Sequence, residues 1–497
     1  MKTFARNCML VCFLTVIAIV LSSNVEATSA IDQYIGGLQY NPKTLLSLRT
    51  TNSTESFPVR NNSKNGVIIC TSKDNKIPPD PDNDSGIDDI TVFNPGAGVI
   101  FPGALILADS KLAEGQPTLI SLPRSSVTIS VDLPGLTSGG AKTIPDYDYS
   151  SFQRNLNVIL ENWFANSAPK GYVNAADSQM SLERAYSSDQ LALALGFVAK
   201  WAKNKISTDL DFKSSKERST TVAFFKQRFY TITANSPRYP SEVFASNVTV
   251  EDLKRLGIDN DSPPAYIKSV NYGRLIFVRM DTESSAASGD LKAALTYVTT
   301  TKIEGKIDTR FESIIKNSSF RIVTIGGNAA KATTLYGPDK FDKLYDVINA
   351  NAIYKRDNPG VPISYTVSFL KNNAIAAIRA STSYRETNCI EYPNGFVKLV
   401  HGGAYVARFF VNWKEKDNNG NYVDKSYNSG NQTHGWTYSV QLPGDAIQVR
   451  IRAEAATGLV WNPWGEVFNV AESGPTNKCY RAHGQTLNRK YNNACSN

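Results

Sequence analysis

Two segments of this chain satisfy two periodicities at once, and that restricts the folds open to it. In 190–201, Leu191, Leu193, Leu195, Phe197, Ala199 and Trp201 share one parity; Gln190, Ala192, Ala194, Gly196, Val198 and Lys200 share the other. Beyond the polar Lys203-Asn204-Lys205, Ile206, Thr208, Leu210 and Phe212 alternate with Ser207, Asp209, Asp211 and Lys213. A period of two belongs to a strand with one apolar face, so the unit reads as an amphipathic hairpin. Residues 191, 194, 195, 198, 201 and 202 also form a helical stripe. In a second unit, Leu291, Ala293, Leu295 and Tyr297 alternate with Asp290, Lys292, Ala294 and Thr296. Past Glu304-Gly305-Lys306, Ile307, Thr309 and Phe311 alternate with Lys306, Asp308, Arg310 and Glu312. A membrane-crossing strand needs ~9–11 residues, apolar outward and polar inward. Both units fit that description. They also fit soluble hairpins or amphipathic helices packed on a core.

Beyond residue 30 no run approaches the ~18 apolar residues of a transmembrane helix, so strands are what could cross a bilayer. The N-terminus carries Lys2 and Arg6, an apolar run from Cys8 to about Leu21, and Val25-Glu26-Ala27, the small-residue pattern of a cleavage site. This is a secretory signal peptide covering 1–27, and the mature protein is expected outside the cell. Four cysteines remain: Cys70, Cys389, Cys479 and Cys495. In an exported protein they could form two disulfides, with three pairings open.

The 497 residues suggest three or four domains, and 20% charged with 41% hydrophobic residues excludes wholesale disorder. A formal charge of +8 is modest for this length and does not indicate nucleic acid as a partner. Ser126–Asp132, Thr220–Ala234, Ala265–Met280 and Val361–Phe369 read as strands, and 151–164 and Asp342–Ile353 as helices. Residues 52–94 read as edge strands and loops. After Tyr392-Pro393-Asn394-Gly395 only strands and turns follow, so the last segment reads as a β-sandwich. No H-E-x-x-H, G-x-S-x-G, Walker-type or C-x-x-C motif occurs, and with only His401, His434 and His483 no metal site, cofactor or enzymatic activity is expected.

Ala456-Thr457-Gly458-Leu459-Val460-Trp461-Asn462-Pro463-Trp464-Gly465 resembles E-C-T-G-L-A-W-E-W-W-R, the tryptophan-rich undecapeptide of the cholesterol-dependent (thiol-activated) cytolysins. Phe101–Asp109, Asp132–Leu136, Phe225–Thr231, Tyr272–Arg274, Asn317–Phe320, Gly326-Gly327, Pro362–Thr366 and Gly403–Ala407 are also similar to that family, in the family's order. Ala456 replaces the cysteine, so thiol activation should not apply; Asn462, Pro463 and Gly465 replace glutamate, tryptophan and arginine.

The resemblance implies an elongated four-domain α+β fold, with a bent central antiparallel sheet flanked by helical bundles and a C-terminal β-sandwich. Domain 1 would be discontinuous (28–48, 97–178, 228–273, 353–376). Domain 2 would be a connecting β domain (49–96, 377–393). Domain 3 (179–227, 274–352) would hold the two double-periodicity segments, and domain 4 (394–497) would bind membrane. It implies a secreted monomer that binds sterol in a lipid bilayer and homo-oligomerises. Each copy would then insert two hairpins into a large barrel; the alternative is a membrane-binding component with altered target or one needing a partner or activation. Before insertion both hairpin segments should be helical, since lone amphipathic hairpins leave their edges unpaired. Sterol would meet Thr486 and Leu487. Ala404, Thr433, His434, Trp461, Pro463 and Trp464 would lie on neighbouring tip loops. Phe320 matches an aromatic at strand pairing, and Gly326-Gly327 a hinge. If Thr486-Leu487 caps a hairpin, Cys479 faces Cys495, while Cys70 and Cys389 both fall in the connecting domain. The pairs 479–495 and 70–389 are therefore expected.

Overall fold

The computed structural model describes residues 29–51, 59–77, 86–92, 98–137, 139–195, 197, 219–282, 288–303, 306–327, 333–336, 341, 343–349 and 352–493. The expected signal peptide, Trp201, Leu210, Phe212 and Cys495 lie outside them.

A ten-stranded sheet forms the body of the molecule. Its spine is two long antiparallel strands, Ser219–Ala234 and Pro264–Thr282, of 16 and 19 residues. Both are rich in β-branched and aromatic residues, which suit a pleated surface covered on both sides. Successive side chains point to opposite faces. Val222, Phe224, Leu275 and Phe277 join one core. Ala223, Phe225, Ile276, Val278 and Met280 join another on the reverse face. Beyond the register shift at Tyr272/Gly273, the same strands pack in a third core with the helix Tyr149–Asn166. A Cβ on Gly273 would stand 1.9 Å from the Gln227 carbonyl, so only glycine lets the strands approach across this irregularity. Arg274 beside it is buried and donates to Gln227 Oε1 and the Ile348 carbonyl, both at 2.6 Å. Burial lowers its pKa to about 10. The helix carrying Ile348 is shorter than the sequence suggests: Lys343–Asn349, with Ile353 instead bridging Ala175.

A separate four-stranded sheet has the order Ser47–Thr51, Arg379–Pro393, Gly66–Ile77, Arg60–Asn62. Gly66–Ile77 is thus an interior strand rather than the edge-and-loop region expected for 52–94. Val67, Ile69 and Cys70 are buried, and the long partner strand also pairs the polar half, Thr71–Lys76, which no local pattern marks as interior. Cys70 lies directly opposite Cys389 in this ladder, and the two are disulfide-bonded.

From Gly395 on, two four-stranded sheets stack as a sandwich around Val397, Leu399, Phe409, Val411, Ile451, Phe468 and Tyr480. One end meets the four-stranded sheet. There Asp445 accepts from Arg60 Nε at 2.9 Å and Nη2 at 3.2 Å, and from the Lys416 amide at 2.9 Å. Both side chains are nearly buried, so removing one partner would strand a desolvated charge at a cost of ~3–5 kcal/mol.

Candidate functional site

The first double-periodicity segment begins as a helix, Ser188–Ala194. Ser187 caps it by accepting from the Gln190 amide at 3.1 Å. Leu191, Leu193, Leu195 and Phe197 are all buried. Phe197 packs 5.0 Å from Phe224 and 5.6 Å from Phe277. The second segment forms the helices Ser288–Thr300 and Thr309–Lys316 on the other face of the same strands. Leu291 and Leu295 are fully buried; Tyr297 and Phe311 are half-buried, 5.2 Å apart, with Ile307 packed beside them. Each fully buried Leu or Phe contributes about 1.5–3 kcal/mol to docking. Polar contacts supplement this. Lys292 pairs with Glu183 at 3.2 Å, while Tyr186 stacks on Tyr384 and donates to Glu386 at 2.9 Å.

The strands around each helical segment are already paired with one another. Asp177–Arg184 runs antiparallel to Ser219–Ala234, closing at Arg184↔Thr221. Ser318–Ile325 runs antiparallel to Pro264–Thr282, closing at Thr282↔Ser318. Each segment is therefore an insertion between two strands in register, and the chain between the closing pairs exceeds ~9–11 residues per arm. Phe320 is buried, opposite Met280 on one side and Tyr336 on the other. The short strand Thr333–Tyr336 covers the outer edge of Ser318–Ile325. Gly326 and Gly327 follow that covered strand at φ +85° and +74°. A side chain there would be strained and would meet Val361 or Asn358.

At the end of the sandwich remote from the four-stranded sheet, four connections converge. The registers bring together 404–407, 428–437, 456–464 and the two-residue turn Thr486-Leu487. Ala404, Thr433 and His434 are exposed on the first two. Thr457 closes the third: its amide donates to the Pro463 carbonyl, its hydroxyl donates to the Asn462 carbonyl and accepts from the Leu459 amide. Gly458 turns the chain at φ +80°. The loop so formed presents Val460 at 92% and Trp461 at 82% exposure. Trp464 returns to the sheet opposite Ala456, half-buried beneath Arg408 at 4.1 Å, and Gly465 follows opposite Ala455. Asn462 and Pro463 are exposed. Leu487 is 99% exposed, and Thr486 half-buried. Large apolar side chains held out in water by a hydrogen-bonded loop mark an interaction surface. His401 is buried instead, with Nε2 2.7 Å from the Tyr405 carbonyl; burial lowers its pKa, which fits a packed neutral histidine. Cys479 is disulfide-bonded.

Sequence reasoning passes over several residues of this arrangement. Tyr186 and Glu386 meet only through the tertiary fold, as do Arg489 and Gly465, and no local pattern marks them. No helix among the described residues is long and apolar enough to cross a membrane.

Residues 30–392 match the family model "Thiol-activated cytolysin", and residues 396–490 match "Thiol-activated cytolysin beta sandwich domain". The chain is 36% identical to ivanolysin of Listeria ivanovii over 452 residues, 88% of this chain and 83% of that protein. It is 33% identical to perfringolysin O of Clostridium perfringens over 486 residues, 96% of this chain and 95% of that protein. The crystal structure of listeriolysin O superposes with a TM-score of 0.77 at 32% identity, covering 94% of this chain and 96% of that one. Wild-type pneumolysin superposes with a TM-score of 0.77 at 29% identity, covering 96% and 100%.

Proposed function

Because the chain belongs to the thiol-activated cytolysin family, a family of non-enzymatic pore-forming toxins, we propose that it is a secreted cytolysin that binds sterol-containing membranes, oligomerises there and inserts two β-hairpins per copy. One observation carries the reading. Among the described residues, the start of the first strand-periodic segment and both arms of the second are helical, and each segment lies between two strands already paired in register. Straightening a segment extends an existing antiparallel pair into a hairpin without changing its register.

Solvent explains why the segments are stored. In lipid every backbone polar group must be paired internally, so strands can cross only as a closed barrel. A single copy has no partner for the outer edges of its hairpins. The helices Ser188–Ala194, Ser288–Thr300 and Thr309–Lys316 satisfy their own backbone, and Leu191, Leu195, Leu291 and Leu295 are buried against the sheet. Release of Thr333–Tyr336 at the Gly326-Gly327 turn would free the edge of Ser318–Ile325 for another copy. That couples barrel growth to assembly.

At the sandwich tip, Thr486 offers a hydroxyl and Leu487 an apolar side chain, a pair suited to a sterol's 3-hydroxyl and ring edge. Trp461 suits the headgroup level of a bilayer. Release of entrapped dye from phosphatidylcholine vesicles with and without cholesterol tests the reading. Sterol-dependent release is expected; equal release from both vesicles, or none from either, overturns it.

A further inference from the structure

The Thr486-Leu487 turn and the Trp461 loop belong to different sheets. The turn joins Asn477–Gln485 to Asn488–Asn492 at the edge of one; the loop leads into Trp464–Glu472 at the edge of the other. The two edges face each other across the open side of the sandwich, where the rings of Phe468 and Tyr491 lie 5.0 Å apart. At the tip end of this seam stands Arg489. Its Nη1 donates to the Thr486 carbonyl at 3.2 Å. Its guanidinium also lies against the backbone of Gly465. A Cβ there would stand 2.7 Å from Nη2 and 2.8 Å from Cζ and Nη1. Gly465 has no left-handed φ to demand glycine, and the guanidinium occupies the space a side chain there would take. Arg408, nearby on the other sheet, is neutralised by Glu454 at 2.6 Å. Arg489 has no carboxylate within 4 Å among the described residues, so its orientation is set by the two loops it touches.

We infer that Arg489 is a positioning residue that fastens the Thr486-Leu487 turn to the base of the Trp461 loop, so that both loops meet a sterol-containing bilayer as one unit. The inference rests on the membrane-binding reading above. A planar guanidinium both donates to the carbonyl and covers the glycine peptide; a lysine ammonium can do only the first.

The test uses the full chain in two settings. In solution, amide hydrogen exchange is followed in 457–463 and 485–488. On vesicles of equimolar phosphatidylcholine and cholesterol, flotation reports binding and an environment-sensitive dye on Val460→Cys reports entry of the tryptophan loop. Arg489→Ala should speed exchange several-fold in both segments. It should lower flotation less than threefold and reduce the dye response by at least half. Gly465→Ala, whose methyl displaces the guanidinium, should reproduce these effects, and the double variant should be no worse than Arg489→Ala alone. Gly465→Arg with Arg489→Gly, which supplies the same group from the opposite strand, should recover more of the dye response than Arg489→Lys. Wild-type exchange and dye response in Arg489→Ala overturn the inference. So do additive losses in the double variant, or equal recovery by lysine. Failure of the wild-type protein to float would sink the sterol reading, while the exchange measurements would still decide whether Arg489 joins the loops.

Discussion

Ala293 separates the helical and the strand reading of its segment in a single substitution. In the helix Ser288–Thr300 it is exposed, whereas Ala294 and Leu295 are fully buried against the sheet. In a hairpin, 293 shares the parity of Leu291, Leu295 and Tyr297 and would face lipid. Ala294 would then face water. Ala293→Lys should therefore change the stability of the soluble protein by no more than about 0.5 kcal/mol, as exposed surface changes do. On insertion it should cost ~2–4 kcal/mol per copy near the bilayer centre. That is roughly a 30- to 700-fold loss in the insertion equilibrium, at tenfold per 1.4 kcal/mol. Ala294→Lys reverses the pattern, since it drives an ammonium into the core formed with Ile276, Val278 and Met280. Thermal unfolding, flotation with cholesterol vesicles and dye release measure the three steps. Ala293→Lys should melt and float like wild type but release little dye; Ala294→Lys should melt at markedly lower temperature. Wild-type release by Ala293→Lys would refute the strand parity. Equal loss of melting temperature in both variants would refute the helix face. Leu195→Lys is a poorer probe, because Leu195 is buried in the soluble fold and a lysine there damages both states.

Thr486→Gly with Leu487→Gly should abolish flotation with sterol vesicles while leaving circular dichroism unchanged, because Leu487 is 99% exposed and supports no core; undiminished binding would move recognition elsewhere. Cys70→Ser with Cys389→Ser should lower stability in denaturant titration by ~2–4 kcal/mol, and non-reducing peptide maps of the wild type should show the cross-linked pair. Finding both thiols free would end that expectation. Burial raises the pKa of Glu386, but hydrogen bonds from Asn388, Tyr186 and Asn75 outweigh it and hold the carboxyl below its ordinary value. Its stabilising contribution is thus present above pH ~4.5 and lost as pH falls through the lowered value. Hydrogen exchange in 186–195 should accelerate on acidification through that window in wild type, and Glu386→Gln should flatten the change; an identical pH response in both would exclude this carboxylate.

Local sequence determined the elements whose environment repeats along the chain. Val361–Phe369 and Thr220–Ala234 read as strands because β-branched and aromatic residues occupy successive positions, and the structure has strands there. The last hundred residues read as a sandwich because alternation and turns recur with no helical stripe. The tryptophan-rich stretch was legible through its resemblance to a family motif, and the exposed Trp461 and Val460 sit on the loop it forms. Other features needed the tertiary structure. Residues 67–69 are apolar and β-branched, but 71–76 are polar, and that the whole of 66–77 is an interior strand is decided only by the 379–393 strand beside it. Cysteine count left three pairings open; apposition across that ladder joins Cys70 to Cys389, 319 residues apart. The contact of Arg489 with Gly465 crosses from one sheet to the other, where no sequence spacing reaches. Above all, the sequence of 288–316 allows both helix and strand, and only the surroundings choose between them. A strand needs a neighbour for its edge, and in a single copy the sheet instead offers an apolar face, which a helix covers with its backbone already satisfied.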